Sequence, residues 1–287
     1  MSKRTLDLAR ASVLVKALAC ALALGTPACR GILGVEDLPP LASDAGTGAA
    51  DDASDEASAD AVPGARYCDT LSPPAQLCAD FDGTGPYGEG FDNGTQFPDP
   101  GAQRGGTLAR DTTSFLSGPG SILLQTPAVL QATDAAAAIL MKTLPSVTPR
   151  LAISFDILID SEDLPTGEGF VILAAVDYGI GAAILLRDSR GLAIAVVPDQ
   201  NRIHLTTRLP VGVWKTVDLT IQNEGTDGGA DGEVTGGVDA AVGARTPMPA
   251  KYQQVTTKPH MTIGPSVGGP AGPFKTHIDN VRVYYGR

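Results

Sequence analysis

Short runs in which apolar and polar residues alternate, separated by Gly, Pro, Asn and Asp, constrain the fold of this chain more than any other feature. The alternation is clearest in Leu151–Ile159 and within Trp214–Ile221. Because successive side chains of a β-strand point to opposite faces of its sheet, a period of two predicts strands with one face in a core and the other toward solvent.

Similar segments recur along the chain with turn residues between them, at a spacing of roughly 8–12 residues. One Ala-rich stretch, Thr133–Leu140, could start a short helix, but its continuation into Met141–Thr143 favours a strand. The pattern therefore predicts an all-β fold, an antiparallel β-sandwich or barrel. The predicted strands are Leu77–Phe81, Ser121–Gln125, Ala137–Leu144, Leu151–Ile159, Phe170–Tyr178, Ala182–Arg187, Leu192–Val197, Arg202–Thr206, Val213–Gln222, Val234–Ala240, His260–Ile263 and Thr276–Tyr285.

Residues 1–28 have the organisation of a secretory signal peptide. Basic residues precede an apolar, Ala/Leu-rich run, Ala11–Gly25, that is too short to span a membrane. Cys20 and Cys29 each follow small residues and resemble the lipid-attachment cysteine of bacterial lipoproteins. Cleavage before Cys29 leaves the apolar run intact, so Cys29 is the predicted lipidation site and the bacterial envelope, at the outer membrane, the predicted location. The alternative is a secreted protein without lipid.

The segment after this signal predicts a disordered tether over residues 29–65. Glu36–Ala65 contains eight acidic residues, lacks Lys and Arg, and consists mostly of Ala, Ser, Gly and Asp. Removing residues 1–28 takes away four basic residues and one acidic residue, so the net charge falls from −11 to −14. This charge argues against binding to nucleic acid or, by charge alone, to anionic lipid. The folded domain is predicted to occupy 66–287.

Two cysteines remain at the start of that domain. In an oxidising compartment Cys68 and Cys78 are predicted to form a disulfide that closes the loop Asp69–Leu77. A metal-binding or catalytic thiol is the weaker interpretation, because no His is near them in the sequence.

Several segments resemble concanavalin A-like, laminin G-like domains, over residues 77–287. The closest likeness is the final strand, Ile278–Tyr284, with its Asp-Asn-Val centre; Glu233–Ala240 departs from the pattern because Val-Asp-Ala replaces the usual Asp-Gly ending. The resemblance implies a jelly roll that binds polysaccharide, protein or lipid, and in some members hydrolyses glucans. It also implies a structural Ca²⁺, for which Asp82 and Asp279 are the candidates; Asp279 could equally hold a turn by hydrogen bonds. The other similar segments are Ser117–Leu124, Leu151–Ile159, Gly212–Trp214 and Met261–Gly264.

Motifs for catalysis are weak in this sequence. A retaining glucanase on this scaffold needs carboxylates at alternate positions of one strand, and no such spacing occurs. Gly264–Gly268 spells Gly-x-Ser-x-Gly, but the Pro and Gly that follow exclude the helix a nucleophile elbow requires, so Ser266 is predicted to be a loop residue. His204, His260 and His277 lack the spacing of a zinc site and are predicted to lie on sheet surfaces.

The sequence therefore predicts a binding protein and not an enzyme. Trp214 is expected in the core, whereas Tyr178, Arg187 and Asn201 are the candidate ligand-binding residues, near loops and a concave face. The expected function is a lipid-anchored, non-catalytic module that recognises carbohydrate or polysaccharide. The alternatives are a protein-interaction or structural envelope lipoprotein and, less favoured, a glycoside hydrolase.

Overall fold

The computed structural model describes residues 66–83, 90–94, 105–131, 135–145, 148–164, 169–198, 202–223, 232–254 and 258–286. The predicted signal peptide, Cys29, the acidic tether and Asn201 lie outside these residues.

The described residues form two antiparallel β-sheets that face each other, which confirms the predicted β-sandwich. Sheet A contains β1 (Leu77–Ala79), β3 (Thr107–Asp111), β4 (Ser121–Thr126), β7 (Arg150–Glu162), β12 (Lys215–Gln222), β13 (Gly232–Val238), β14 (Ala241–Met248) and β16 (Phe274–Gly286). Sheet B contains β2 (Asn93–Gly94), β5 (Ala135–Ala137), β6 (Leu140–Thr143), β8 (Phe170–Asp177), β9 (Ala182–Asp188), β10 (Gly191–Val197), β11 (Ile203–His204) and β15 (His260–Gly268).

Consecutive strands pair in β3–β4, β8–β11 and β12–β14, whereas the other neighbours within each sheet are distant in sequence. Sheet A has the order β14-β13-β12-β7-β16-β4-β3, with β1 also paired to β16. Sheet B has the order β11-β10-β9-β8-β15-β6-β2, with β5 also paired to β15. The described helical segments are 3-10 turns, Tyr67–Thr70 and Ala250–Gln254. Within the described part of the chain, no helix is long and apolar enough to cross a membrane.

The core lies between the two sheets, because the alternating apolar side chains of the strands point inward. In β7 the side chains of Leu151, Ile153, Phe155, Ile157 and Ile159 are at most 1% exposed. They belong to one cluster that also receives the inward side chains of β8, β9, β10 and β16. Burial of this apolar surface is the main favourable contribution to folding.

Several strand assignments differ from the prediction, and β2 and β3 were not predicted. β14 was not predicted, because Gly243 and Pro247 interrupt its pattern; its place at the edge of sheet A explains why Pro is tolerated there. The predicted strand Ala137–Leu144 is divided between β5 and β6. β15 extends to Gly268, so Ser266 lies in a strand and not in a loop.

The N-terminal 3-10 turn lies on the outer face of sheet A. A disulfide joins Cys68 to Cys78 as predicted, and Cys78 is paired with Arg282 of β16. The ring of Tyr67 lies 5.5 Å from the Arg282 guanidinium. The disulfide therefore holds the turn against the polar outer face of this sheet.

Candidate functional site

The outer face of sheet B has an apolar centre. Ile184, Leu186, Ala193 and Ala195 form a cluster separate from the main core, and each is at most 5% exposed. Alternation along β9 places Asp188 on the same face as Leu186. His204 pairs with Ala193 across β10 and β11, so it lies on this face too.

A polar group at one end of this face forms the candidate site, which we name the Asp188 cluster: Phe170, Asp188, Arg190, Arg202 and His204. The imidazole Nε2 of His204 lies 3.0 Å and 3.1 Å from the two Asp188 oxygens. Arg202 Nη1 donates to Asp188 Oδ2 at 3.3 Å, and the backbone N–H of Arg190 donates to Oδ1 at 2.8 Å. The Arg190 guanidinium lies 3.7 Å from Oδ2, so one carboxylate contacts three basic residues.

Asp188 is ionised at neutral pH although its side chain is only 3% exposed. Burial by itself raises the pKa of this carboxyl, but the hydrogen bonds from the Arg190 N–H and from His204, with the charges of His204 and Arg190, outweigh burial and lower the pKa below its ordinary value. Because an ionised carboxylate only accepts hydrogen bonds, His204 must donate through Nε2. In the neutral imidazole, the lone pair is then on Nδ1.

Arg202 extends from the edge strand toward β8. Its guanidinium carbon lies 4.4 Å from the centre of the Phe170 ring, and Phe170 pairs with Asp188 across β8 and β9. The side chains of Arg202 and His204 are each 23% exposed, and Arg190 is 69% exposed. The cluster thus presents cations and an oriented imidazole beside an aromatic ring, a set that can hold a carboxylate and accept a proton.

The predicted ligand-binding residues lie elsewhere, although near the cluster in sequence. Tyr178 is only 2% exposed and packs edge-on against Tyr252 in the core, so its ring offers no face to a sugar. Arg187 points to the inner side of β9, where it forms a short ion pair with Glu162 of sheet A and donates to the Leu209 carbonyl at 2.7 Å. This ion pair links the end of β7 in sheet A to β9 in sheet B.

The two candidate calcium ligands flank the turn that precedes β4. Asp279 is fully buried and accepts hydrogen bonds from the backbone N–H groups of Leu116 and Ser117, both at 3.0 Å. Burial, acting against these bonds, raises its pKa to about 6. Asp82 approaches Gly118 of the same turn, and its Oδ1 is buried without a hydrogen-bond partner. Among the described residues no group of three or more His, Cys, Asp or Glu could hold a metal. Calcium binding stays a prediction, which thermal unfolding with calcium and with a chelator would check.

A Ser–His–Asp arrangement on sheet A is structural. His277 is 1% exposed, with Nε2 2.9 Å from Asp160 and Nδ1 3.3 Å from Ser121 Oγ and from Asp111. The Ser121 hydroxyl donates to the Ser114 carbonyl and is buried, so no substrate can reach it. Trp214, expected in the core, is half-buried and lies edge-on to His277.

Sequence reasoning did not identify the Asp188 cluster. The sequence predicts His204 only as a sheet-surface histidine, and no functional motif singles out Asp188. One available signal was the spacing of Arg202 and His204, two residues apart in a predicted strand, which places both on one face. Their meeting with Asp188 and Phe170 depends on the pairing of β8, β9, β10 and β11.

Comparison with solved structures establishes the fold type. An endo-β-1,4-glucuronan lyase from the fungus Trichoderma reesei is similar with a TM-score of 0.52 and 13% identity, over 74% of this chain and 95% of that one. The cellulose-induced protein Cip1 has a TM-score of 0.50 and 15% identity, over 74% of this chain and 100% of that one. A marine alginate lyase from Aplysia kurodai is more distant, with a TM-score of 0.41 and 10% identity over 62% of this chain and 87% of that one. No protein-family model and no curated protein sequence matches this chain.

The similarity to the glucuronan lyase contradicts the predicted non-catalytic binding module. That protein is an enzyme that acts on a polysaccharide, so the expectation that this chain is not an enzyme is also contradicted. Of the predicted alternatives, the glycoside hydrolase is nearer, because it too acts on polysaccharides. The chain has a jelly-roll β-sandwich fold of the concanavalin A-like type, as the resemblance implied.

Proposed function

We propose that this chain is a polysaccharide lyase that cleaves a uronate-containing polysaccharide at the Asp188 cluster. The observation that carries the proposal is the oriented His204 beside Arg202 on the outer face of sheet B. The fold, similar to that of a glucuronan lyase, supports it. The chain has a net charge of −11, yet three basic residues surround the single carboxylate of the cluster. This local excess of basic groups also favours an acidic substrate.

The chemistry is a β-elimination at a uronate residue. The proton on C5, beside the sugar carboxylate, moves to a base; the C4–O bond breaks, a C4–C5 double bond forms, and the leaving oxygen takes up a proton. His204 serves as the base through Nδ1, because its Nε2–H is held by Asp188. The protonated imidazole then returns the proton to the leaving oxygen.

Arg202 holds the substrate carboxylate. Its guanidinium has five N–H donors, more than the contact to Asp188 uses, and a planar fork matches a carboxylate in shape. A cation at this position stabilises the negative charge that develops when the C5 proton leaves. Arg190, which is largely exposed, attracts the polyanion from solution.

The test is incubation of the full chain with glucuronan and, separately, with alginate. A lyase creates an unsaturated uronate end, which is detected by its ultraviolet absorbance and by fragments one water lighter than hydrolysis products. His204→Ala should lower kcat by about 100-fold or more. His260→Ala is the matched control, since His260 lies on sheet B at the opposite end of β8 and should leave kcat unchanged.

Two outcomes would overturn this function. Chain cleavage without the unsaturated end would indicate hydrolysis. A folded chain that leaves both polymers intact, or a His204→Ala variant with full activity, would remove the Asp188 cluster from the chemistry.

We also propose that the chain is anchored to the bacterial outer membrane by a lipid on Cys29, as an exported lipoprotein of the envelope. The small residues before Cys29 and the acidic segment 36–65, which would form a tether, support this proposal. A triacylated cysteine buries more acyl chain than a single myristoyl group, so it would anchor the protein stably. Mass spectrometry of the mature N-terminus tests it. A mature protein that begins elsewhere, or an unmodified Cys29, would contradict it.

A further inference from the structure

A cavity of about 430 Å³ opens at one end of the sandwich. Its floor includes Leu77, Leu144 and Val283, which are buried members of the main core. The floor therefore belongs to the space between the sheets, and the cavity volume falls in the range of small-molecule sites.

This end cavity is remote from the Asp188 cluster. It is lined by Thr143 of β6, which pairs with His260, and His260 pairs in turn with Asp177 at the end of β8. Phe170 of the Asp188 cluster begins β8, seven residues away, which corresponds to roughly 23 Å along an extended strand. A ligand in the cavity would not touch His204.

The rim of the cavity is polar and held in place. Lys142 donates to Asp92 Oδ1 at 2.9 Å, and the N–H of Thr143 donates to Asp92 Oδ2 at 2.6 Å. Burial alone raises the Asp92 pKa, but these hydrogen bonds and the Lys142 charge lower it below its ordinary value. Asp92 is therefore ionised, and with Lys142 and Lys258 on the rim the cavity has a net positive charge.

The remaining lining suits a sugar ring. Tyr285 lies partly buried against the core and lines the cavity beside Leu77, so an apolar sugar face can pack there. Gln76 accepts a hydrogen bond from the Tyr285 N–H through Oε1 at 3.1 Å, which turns its amide N–H₂ to donate elsewhere. Gln76, Thr143 and Asp92 together supply donors and acceptors for hydroxyl groups.

We propose that the end cavity binds a single uronate-sized sugar acid, with its carboxylate between Lys142 and Lys258. The apolar floor receives one face of the ring, and Asp92, Thr143 and Gln76 bind its hydroxyls. This site does not depend on the proposed lyase activity, because none of its residues belongs to the Asp188 cluster.

Isothermal titration calorimetry of the full chain with glucuronate, and with glucose as the uncharged counterpart, tests the proposal. Glucuronate should bind at least tenfold more tightly than glucose. The titration is repeated with Arg202→Ala, which removes a guanidinium of the Asp188 cluster; unchanged affinity shows that glucuronate binds outside that cluster. An affinity lost in Arg202→Ala would overturn the assignment.

Lys142→Ala and Lys258→Ala should each weaken glucuronate binding at least tenfold and leave glucose binding unchanged. The matched control is Lys215→Ala, whose ion pair with Asp239 lies on sheet A. Equal binding of the two sugars, no binding to the folded wild-type chain, or full affinity in both lysine variants would overturn the proposed site.

Discussion

Asp188 shows how one buried carboxylate gives a set of exposed side chains a common geometry. It is almost fully buried, and it accepts hydrogen bonds from the Arg190 backbone, Arg202 and His204. Its lowered pKa means that folding stabilises the charged form. That stability is present above the ordinary Asp pKa and is lost as the pH falls through the lower, folded-state pKa.

Asp188→Ala should therefore lower the free energy of unfolding at pH 7 by about 2 kcal/mol, because it leaves partly buried cations without their counter-charge. Urea unfolding measures the change. The matched control is Glu233→Ala, which breaks an exposed ion pair with Arg245 and should cost under about 1 kcal/mol. Equal effects of the two substitutions would show that burial of Asp188 contributes nothing.

The outer face of sheet A contains a carboxylate, Asp218, whose pKa is raised and not lowered. Burial raises the pKa of Asp218, against hydrogen bonds from Ser154 and the Ala240 N–H and the charge of Arg282. Its Oδ1 is buried without a hydrogen-bond partner. Because the pKa of Asp218 is higher in the folded than in the unfolded protein, its ionised form opposes folding. The contribution of Asp218 to stability therefore declines as the pH rises from the unfolded-state pKa through the folded-state pKa.

Asp218→Asn should consequently change stability more favourably at pH 7.5 than at pH 4, since the amide cannot ionise and its oxygen can keep the bonds of the partnered carboxylate oxygen. Urea unfolding of both proteins at the two pH values gives this difference. A substitution effect that does not vary with pH would mean that Asp218 titrates normally.

At the scale of elements, the alternation of apolar residues predicted most strands, and the exceptions have physical causes. β5 and β6 are separate because the N–H of Ala138 bonds to the Pro265 carbonyl, opposite the irregularity in β15 between Ile263 and Ser266. β14 lies at an edge, where burial is incomplete and the period is less clear. The local pattern therefore located the strands, whereas the positions of bulges and edge strands depend on which strands are paired.

Close contact between the sheets depends on Gly236 of β13. A Cβ at this position would overlap the Ile194 side chain of β10, on the opposite sheet. Gly236→Ala should lower the free energy of unfolding by about 1–3 kcal/mol, because an overpacked core must shift. Gly286→Ala, with nothing within 4 Å of the added atom, is the control and should be nearly neutral.

Chemical denaturation of both variants checks this expectation. In a double-mutant cycle, Ile194→Ala should remove most of the cost of Gly236→Ala, since the overlapping methyl group is gone. Additive effects of the two substitutions would contradict direct contact between these positions.

On the scale of the whole molecule, one apolar cluster connects both sheets. Phe155 of sheet A is fully buried in it, together with Leu173 and Leu185 of sheet B. Since neither sheet covers its inner face alone, the sandwich should unfold as one cooperative unit.

Phe155→Ala should lower the free energy of unfolding by about 3–5 kcal/mol and leave a single transition. Trp214 fluorescence follows sheet A, and far-ultraviolet circular dichroism follows the strands of both sheets. Coincident curves are expected for wild type and variant. Separate midpoints for the two signals would show that the sheets unfold independently.

The chain alone predicted the features that depend on neighbouring residues: the all-β class, most strands and the Cys68–Cys78 disulfide. A period of two is a local property of the sequence, so strands can be recognised without knowledge of their order in the sheets. Tyr178 was misplaced because position at a strand end does not reveal what covers it, and Tyr252, which packs against it, is distant in sequence. The Asp188 cluster joins β8, β9 and β11 with the turn before β10, and only their pairing brings its charges together. The tertiary structure decided the site because cross-strand register, which no local pattern specifies, sets those contacts.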